Sequence, residues 1–230
     1  MITLRRDGHK MMNIELVIFD MDGLMFDTET VSREAWKIAG EKVNMPVDDE
    51  LFSEFLGTNS KYITNLLINK FGEKSPYKEL ISERNIMADK LIDMNGLRVK
   101  KGLIKLLDYL QKNNIKRAVA TSTSRERALK LLTMANVVDK FDYIICGDEV
   151  TQSKPNPEIF LKVAEKLDVN PTNCIVLEDS RWGVYAAKRA GMNPIMVPDL
   201  LEPDEELLGM IYNKADSLDA VIELLDKREM

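Results

Sequence analysis

The sequence predicts an α/β fold, a doubly wound, Rossmann-like parallel sheet with an all-helical domain inserted after its first strand. Three observations carry this. Five short apolar runs without strict alternation, LVIF (16–19), RAVA (117–120), YIIC (143–146), CIVL (174–177) and PIMV (194–197), read as strands covered on both faces. Helical repeats alternate with the later runs, as parallel strands require. Between the first run and the second lies a stretch with helical patterns and no strand, far longer than a normal connection.

In chain order, MITLRRDGHKMMN at 1–13 is polar and basic and lacks the apolar run of a secretory signal. It is expected to be a leader, disordered or added to the native chain, with the fold starting at residue 14. Residues 14–28 carry the first strand. Residues 29–98 are expected to form the helical cap domain. Thr28 is placed to cap a first helix running to about Val43. Asp48 or Asp49 starts a second, with Leu51, Phe52, Phe55 and Leu56 inward and Gly57 ending it. Ile63, Leu66 and Leu67 mark a third, and Leu80, Met87, Leu91 and Met94 a fourth. Residues 99–230 complete the core. Leu103, Leu106, Leu107 and Leu110 share a helical face, as do Ala128, Leu131, Leu132 and Ala135. Phe160, Val163, Ala164 and Leu167 repeat the spacing, and so do Leu218, Val221, Ile222 and Leu225. Asn156-Pro157 opens one helix, and Gly191 ends the helix over 181–190.

Bulk properties narrow the function. A chain of 230 residues builds its core without staples. A net charge of −6 is the wrong sign for a nucleic-acid surface. No apolar stretch reaches the ~20 residues that span a bilayer. Cys146 and Cys174 sit inside apolar runs and read as free core thiols, in keeping with a cytoplasmic protein. The only histidine, His9, lies in the leader, so acid–base chemistry is left to carboxylates, lysines or a metal-bound water. A monomer or weak homodimer is expected.

The informative residues follow the strands. LVIF runs into Asp20-Met21-Asp22-Gly23, RAVA into Thr121-Ser122, and CIVL into Glu178-Asp179-Ser180; Ser153-Lys154-Pro155 lies beyond YIIC. In an open α/β sheet ligands bind outside the carboxyl ends of the strands. Singly, each segment has an ordinary reading: a turn, a helix cap, a solvated lysine, a charge pair at a helix start. Together they would have to coincide on one edge. Four clustered carboxylates demand a cation, and hard oxygen donors without imidazole or thiolate point to Mg2+. Phosphoryl transfer needs such an arrangement. Lys154, the Thr121 hydroxyl and the cation would neutralise the phosphoryl oxygens. A carboxylate nucleophile on the metal would form an acyl-phosphate, and the second aspartate, Asp22, would protonate the leaving alcohol and then deprotonate water.

These segments resemble the haloacid dehalogenase superfamily, in its branch with a small helical cap. DMDGLMFDTE (20–29), ATS (120–122), SKPNPEIF (153–160) and LEDSRWGVYAAKRAGM (177–192) are similar to its four motifs in order. The resemblance implies that Asp20 is nucleophile and metal ligand, and that Asp22 is the acid/base and binds the metal through its carbonyl. It implies that Thr121 and Lys154 hold the phosphoryl group, that Asp179 with Glu178 completes the Mg2+ site, and that Ser122 lies against substrate. It further implies a small phosphorylated metabolite, such as a sugar phosphate, as substrate. The cap is expected to select it, with Trp36, Asn59, Ser60 and Lys61 as the candidate contacts.

Two rivals remain open at this point. β-Phosphoglucomutases resemble the chain through the cap, but carry a histidine where Ser32 stands and an arginine in place of the stretch Thr58-Asn59-Ser60-Lys61. Receiver domains, which are not enzymes, also set a phosphorylatable aspartate beside Mg2+, a hydroxyl and a lysine, but on a middle strand and without a helical insertion.

Overall fold

The computed structural model describes residues 2–6, 9–56, 58 and 60–226. The chain forms two compact units, one of Met1–Phe26 and Val99–Met230, the other of Asp27–Arg98.

The first unit opens with a hairpin, β1 (Ile2–Arg6) and β2 (His9–Ile14), paired antiparallel with Ile2 opposite Ile14 and Arg6 opposite His9. This corrects the expectation of a disordered leader. An Asp-Gly pair between two short runs is a strong hairpin signal, and two paired strands satisfy backbone groups that a free leader would leave to water.

β3 (Leu16–Phe19) then runs through the middle of a six-stranded parallel sheet. The chain returns from the helical unit into α5 (Leu103–Lys112), β4 (Lys116–Ala120), α6 (Arg125–Met134), β5 (Tyr143–Ile145) and α7 (Glu158–Lys166). It continues with β6 (Cys174–Glu178), α8 (Arg181–Arg189), β7 (Asn193–Met196), α9 (Glu205–Leu208), β8 (Asn213–Lys214) and α10 (Leu218–Asp226). The sheet order is β5-β4-β3-β6-β7-β8. β3 pairs with both β4 and β6, Phe19 lying beside Val119 and Leu177. The strands diverge on either side of β3, which makes its carboxyl end the switch point where a ligand site forms. Every residue of β3 and β6 is buried, the physical reason these runs are continuously apolar. The two-residue β8 was not expected; both its residues are exposed, so it carries no apolar mark.

α5, α6 and α7 are followed by residues with positive φ, Asn114, Asn136 and Asp168, types whose short polar side chains tolerate the left-handed region. The Asn156 side chain accepts from the Glu158 backbone N–H at 2.9 Å, but the cap of α7 is Pro157 rather than Asn156, and the helix starts one residue later than expected. Cys146 and Cys174 are free and buried, and burial pushes both thiols up to about 12, so neither is a nucleophile near neutrality.

The second unit is all helix: α1 (Thr28–Lys42), α2 (Asp49–Phe55), α3 (Ser60–Phe71) and α4 (Tyr77–Asn95). Thr28 is the first helical residue rather than the cap, which is Asp27. Asp48 does cap α2, accepting from the Leu51 N–H at 2.8 Å. Gly57, expected to end that helix, lies outside the described residues. The core of this unit gathers Trp36, Ala39, Met45, Leu51, Phe52, Phe55, Leu67 and Leu80. Among the described residues no helix is long and apolar enough to cross a membrane.

Candidate active site

The carboxyl end of β3 delivers Asp20, whose N–H donates to the Leu177 carbonyl at 3.0 Å and so continues the sheet one residue further. The chain then turns sharply. Met25 N–H donates to the Met21 carbonyl, Gly23 N–H donates to Phe26, and Phe26 pairs antiparallel with Val99. Gly23 has φ +78°, and a β-carbon there would lie 2.1 Å from Asp179 Oδ2. Glycine is required twice over, by the left-handed backbone and by the carboxylate against it.

Lys154 sits at the centre, in the loop before α7. It is 7% exposed, and its ammonium donates to Asp20 Oδ1 at 2.5 Å, to Glu178 Oε1 at 2.6 Å and to the Ala120 carbonyl at 3.1 Å. The Phe160 ring lies 5.0 Å away, a cation–π contact. The loop is clamped by Glu158, whose two oxygens accept from the Thr151 and Gln152 N–H groups at 2.9 and 2.8 Å. Its partner Lys162 and those two amides hold Glu158 down to about 2.

Glu178, fully buried, also accepts on Oε2 from the Ser180 N–H and hydroxyl at 3.1 and 2.8 Å. Ser180 in turn caps α8 by accepting from Gly183 N–H at 3.1 Å. A β-carbon on Gly183 would fall 1.8 Å from the Glu178 carboxyl carbon, so a bare α-carbon makes room for this carboxylate. On the other flank Thr123 Oγ1 donates to Asp22 Oδ2 at 2.7 Å, with Thr121 Oγ1 at 3.4 Å. The Thr123 N–H donates to Thr121 Oγ1 at 3.0 Å, which fixes that hydroxyl.

Burial pushes Asp20 up to about 8; Lys154 opposes the rise, while Glu178 and Asp22 add to it. For Lys154, desolvation acts to lower the value, but Asp20 and Glu178 outweigh it and raise the ammonium above its ordinary range. Asp20, Glu178 and Asp179 each present an oxygen within 4.8 Å of the others. With Asp22 nearby, the site holds four carboxylates, two of them bound to the one ammonium, and its candidate ligands are all oxygen donors. Such residues fit a hard divalent cation.

The structure therefore brings together Asp20, Asp22, Thr121, Lys154, Glu178 and Asp179. Ser122 is exposed beside them and offers its backbone to the Gly147 α-carbon, where a β-carbon would lie 2.1 Å from the Ser122 carbonyl oxygen. Ser60 and Lys61 are exposed in the first turn of α3, in the helical unit. Asn59 lies outside the described residues. Trp36 corrects an expectation: it is 3% exposed, packs on Phe55 at 4.7 Å between ring centroids and carries the Arg84 guanidinium over its ring. The indole is enclosed by the core of its own unit. Sequence reasoning missed Thr123, whose role depends on a partner 101 residues away; the only signal was a second hydroxyl two positions after Thr121.

Comparison with known proteins agrees with this geometry. The haloacid dehalogenase-like hydrolase family matches residues 17–197. The chain belongs to that family. A phosphorylated carbohydrates phosphatase of Thermotoga maritima is 34% identical over 79% of this chain and 84% of its own. A beta-phosphoglucomutase of Bacillus subtilis is 29% identical over 92% and 94%. Among solved structures, CbbY from Rhodobacter sphaeroides in complex with phosphate superposes with a TM-score of 0.80 at 27% identity, covering 93% of this chain and 99% of that one.

Proposed function

We propose that this hydrolase of phosphoric monoesters acts on small phosphorylated metabolites, sugar phosphates foremost, through an aspartyl-phosphate on Asp20, with Mg2+ as its cation. The observation that carries the reading is the pairing of two differently held aspartates: Asp20 bound to Lys154, Asp22 bound to Thr123. In this reading one attacks and the other moves a proton, and they stand two residues apart on one turn.

A carboxylate oxygen of Asp20 bonds to phosphorus as the ester bond breaks, and Asp22 gives its proton to the departing alkoxide. Asp22, now ionised, takes a proton from a water that attacks the acyl-phosphate. The bond from phosphorus to Asp20 breaks, and inorganic phosphate leaves with both carboxylates restored. The Lys154 ammonium and the Thr121 hydroxyl balance charge on the phosphoryl oxygens. Asp20, Asp179, Glu178 and the Asp22 carbonyl would hold Mg2+, which when bound would supply further charge neutralisation to the phosphoryl oxygens. Glu178, tied to Lys154 and Ser180, also fixes the ammonium.

The β-phosphoglucomutase relative keeps a mutase as the second reading. Against it, the position where mutases carry a histidine holds Ser32, buried in α1 and accepting from Arg84 Nη2 at 2.6 Å. Phosphate release from a panel of sugar phosphates and small phosphomonoesters, with Mg2+ and with chelator, tests both. Metal-dependent release that falls by on the order of 10³-fold or more in Asp20→Asn supports the phosphatase. Isomerisation of a sugar phosphate without net release would replace it with the mutase.

A further inference from the structure

Asp199 lies beyond β7, and no motif marks it. Its side chain is 10% exposed, with Oδ1 paired to the Lys100 ammonium. Its Oδ2 is buried and has no hydrogen-bond partner among the described residues. That oxygen is aimed at the carboxylate site. A β-carbon built on Gly23 would stand 3.4 Å from Asp199 Oδ2 and 2.1 Å from Asp179 Oδ2. Both oxygens flank the same bare α-carbon, separated by no more than the sum of those distances.

Two carboxylates this close repel each other, and Lys100 engages only the other oxygen of Asp199. A buried acceptor is normally satisfied, so Oδ2 calls for a donor between Asp199 and Asp179. Lys100 is itself fixed: its N–H donates to the Met25 carbonyl at 2.9 Å, and the preceding Val99 pairs with Phe26. The turn that carries Asp22 and Gly23 is thus tied through Lys100 to the loop after β7. Mg2+ retains several of its waters when a protein binds it, and those waters donate to carboxylates beyond the direct ligands.

We propose that Asp199 is a positioning residue of the cation site, its Oδ2 accepting from the hydration shell of the Mg2+ that Asp179 holds, with Lys100 setting its rotation. The inference rests on the magnesium reading above and adds to it a residue outside the four motifs.

Titration calorimetry with MgCl2 alone tests it on wild type, Asp199→Asn and the double variant Asp199→Asn/Lys100→Met, each melted beforehand in chelator. The double variant keeps the net charge and leaves no unmatched ammonium, so it decides the matter if the single variant folds poorly. The Mg2+ dissociation constant is expected to rise about tenfold or more in both, with the metal-free melting temperature within a few degrees of wild type. A merely structural pair would do the reverse, lowering the metal-free melting temperature while leaving Mg2+ affinity intact. Wild-type affinity in a folded variant overturns the inference. Failure of the wild type itself to take up Mg2+ would instead sink the magnesium reading, so the two failures are distinguishable.

Discussion

In the helical unit, opposite charges meet at the surface. Arg33 pairs with Asp49, Lys42 with Glu83 and Lys70 with Glu54, each at 2.6 to 2.8 Å and each with at least one partner well exposed. In the α/β unit, Lys154 makes contacts of the same length to Asp20 and Glu178, but with 7%, 12% and 0% of the three side chains exposed. The bonds look alike and differ in what surrounds them. Exposed pairs are screened by water and salt and contribute about 0–1 kcal/mol. A buried set costs free energy to desolvate and holds together only while every member is present. The α/β unit therefore keeps its chemistry in a network that cannot be loosened one residue at a time, whereas the helical unit can exchange surface charges freely.

The largest effect should come from Lys154→Met, which leaves Asp20 and Glu178 facing each other. We expect a loss of about 3–5 kcal/mol in urea unfolding, with phosphate release reduced by about 10²-fold or more. A variant as stable as wild type would place this pair with the surface type. Next is Gly183→Ala. Its methyl would enter the space of the Glu178 carboxyl, and the overpacking should cost about 1–3 kcal/mol in the same assay. No loss there would mean that the carboxylate is free to move.

Glu158 sharpens the comparison, because it is a half-exposed residue serving the buried set. Its value, held down from 4.5 to about 2, means that the folded state favours the ionised form. The stabilisation is present above about pH 4.5 and is lost as the pH falls towards about 2. Amide exchange at Thr151 and Gln152, corrected for its intrinsic pH dependence, should speed up severalfold across that window in wild type. In Glu158→Gln it should already be fast at pH 6. The smallest effect is expected for Lys42→Met, at most about 1 kcal/mol in urea and vanishing in molar salt.

The same division between local and distant partners decides what the sequence made legible. β3, β4, β6 and β7 stood out because strands buried on both faces leave an unbroken apolar run. Asp20, Asp22, Lys154, Glu178 and Asp179 stood out because four strand ends each carried an out-of-place polar group. β1 and β2 did not, since HKMMNI has no alternation to read. Trp36 was ambiguous because an indole suits a core and a ligand surface equally. Thr123 and Asp199 were invisible for another reason. Each is an ordinary polar residue in a loop until a partner roughly a hundred positions away is brought beside it.

The position of β3 also bears on how the chain is made. It lies inside the finished sheet, yet its neighbours begin only at Lys116 and Cys174. The helical unit is complete in sequence before either neighbour is synthesised, and it can close its own core while the apolar LVIF run still lacks its flanking strands. For the length of that wait the nascent protein exposes an apolar segment that the finished sheet buries at every position. Slow translation or a shortage of chaperones should therefore reduce the yield of folded enzyme by aggregation through β3 before any residue of the site has been tested.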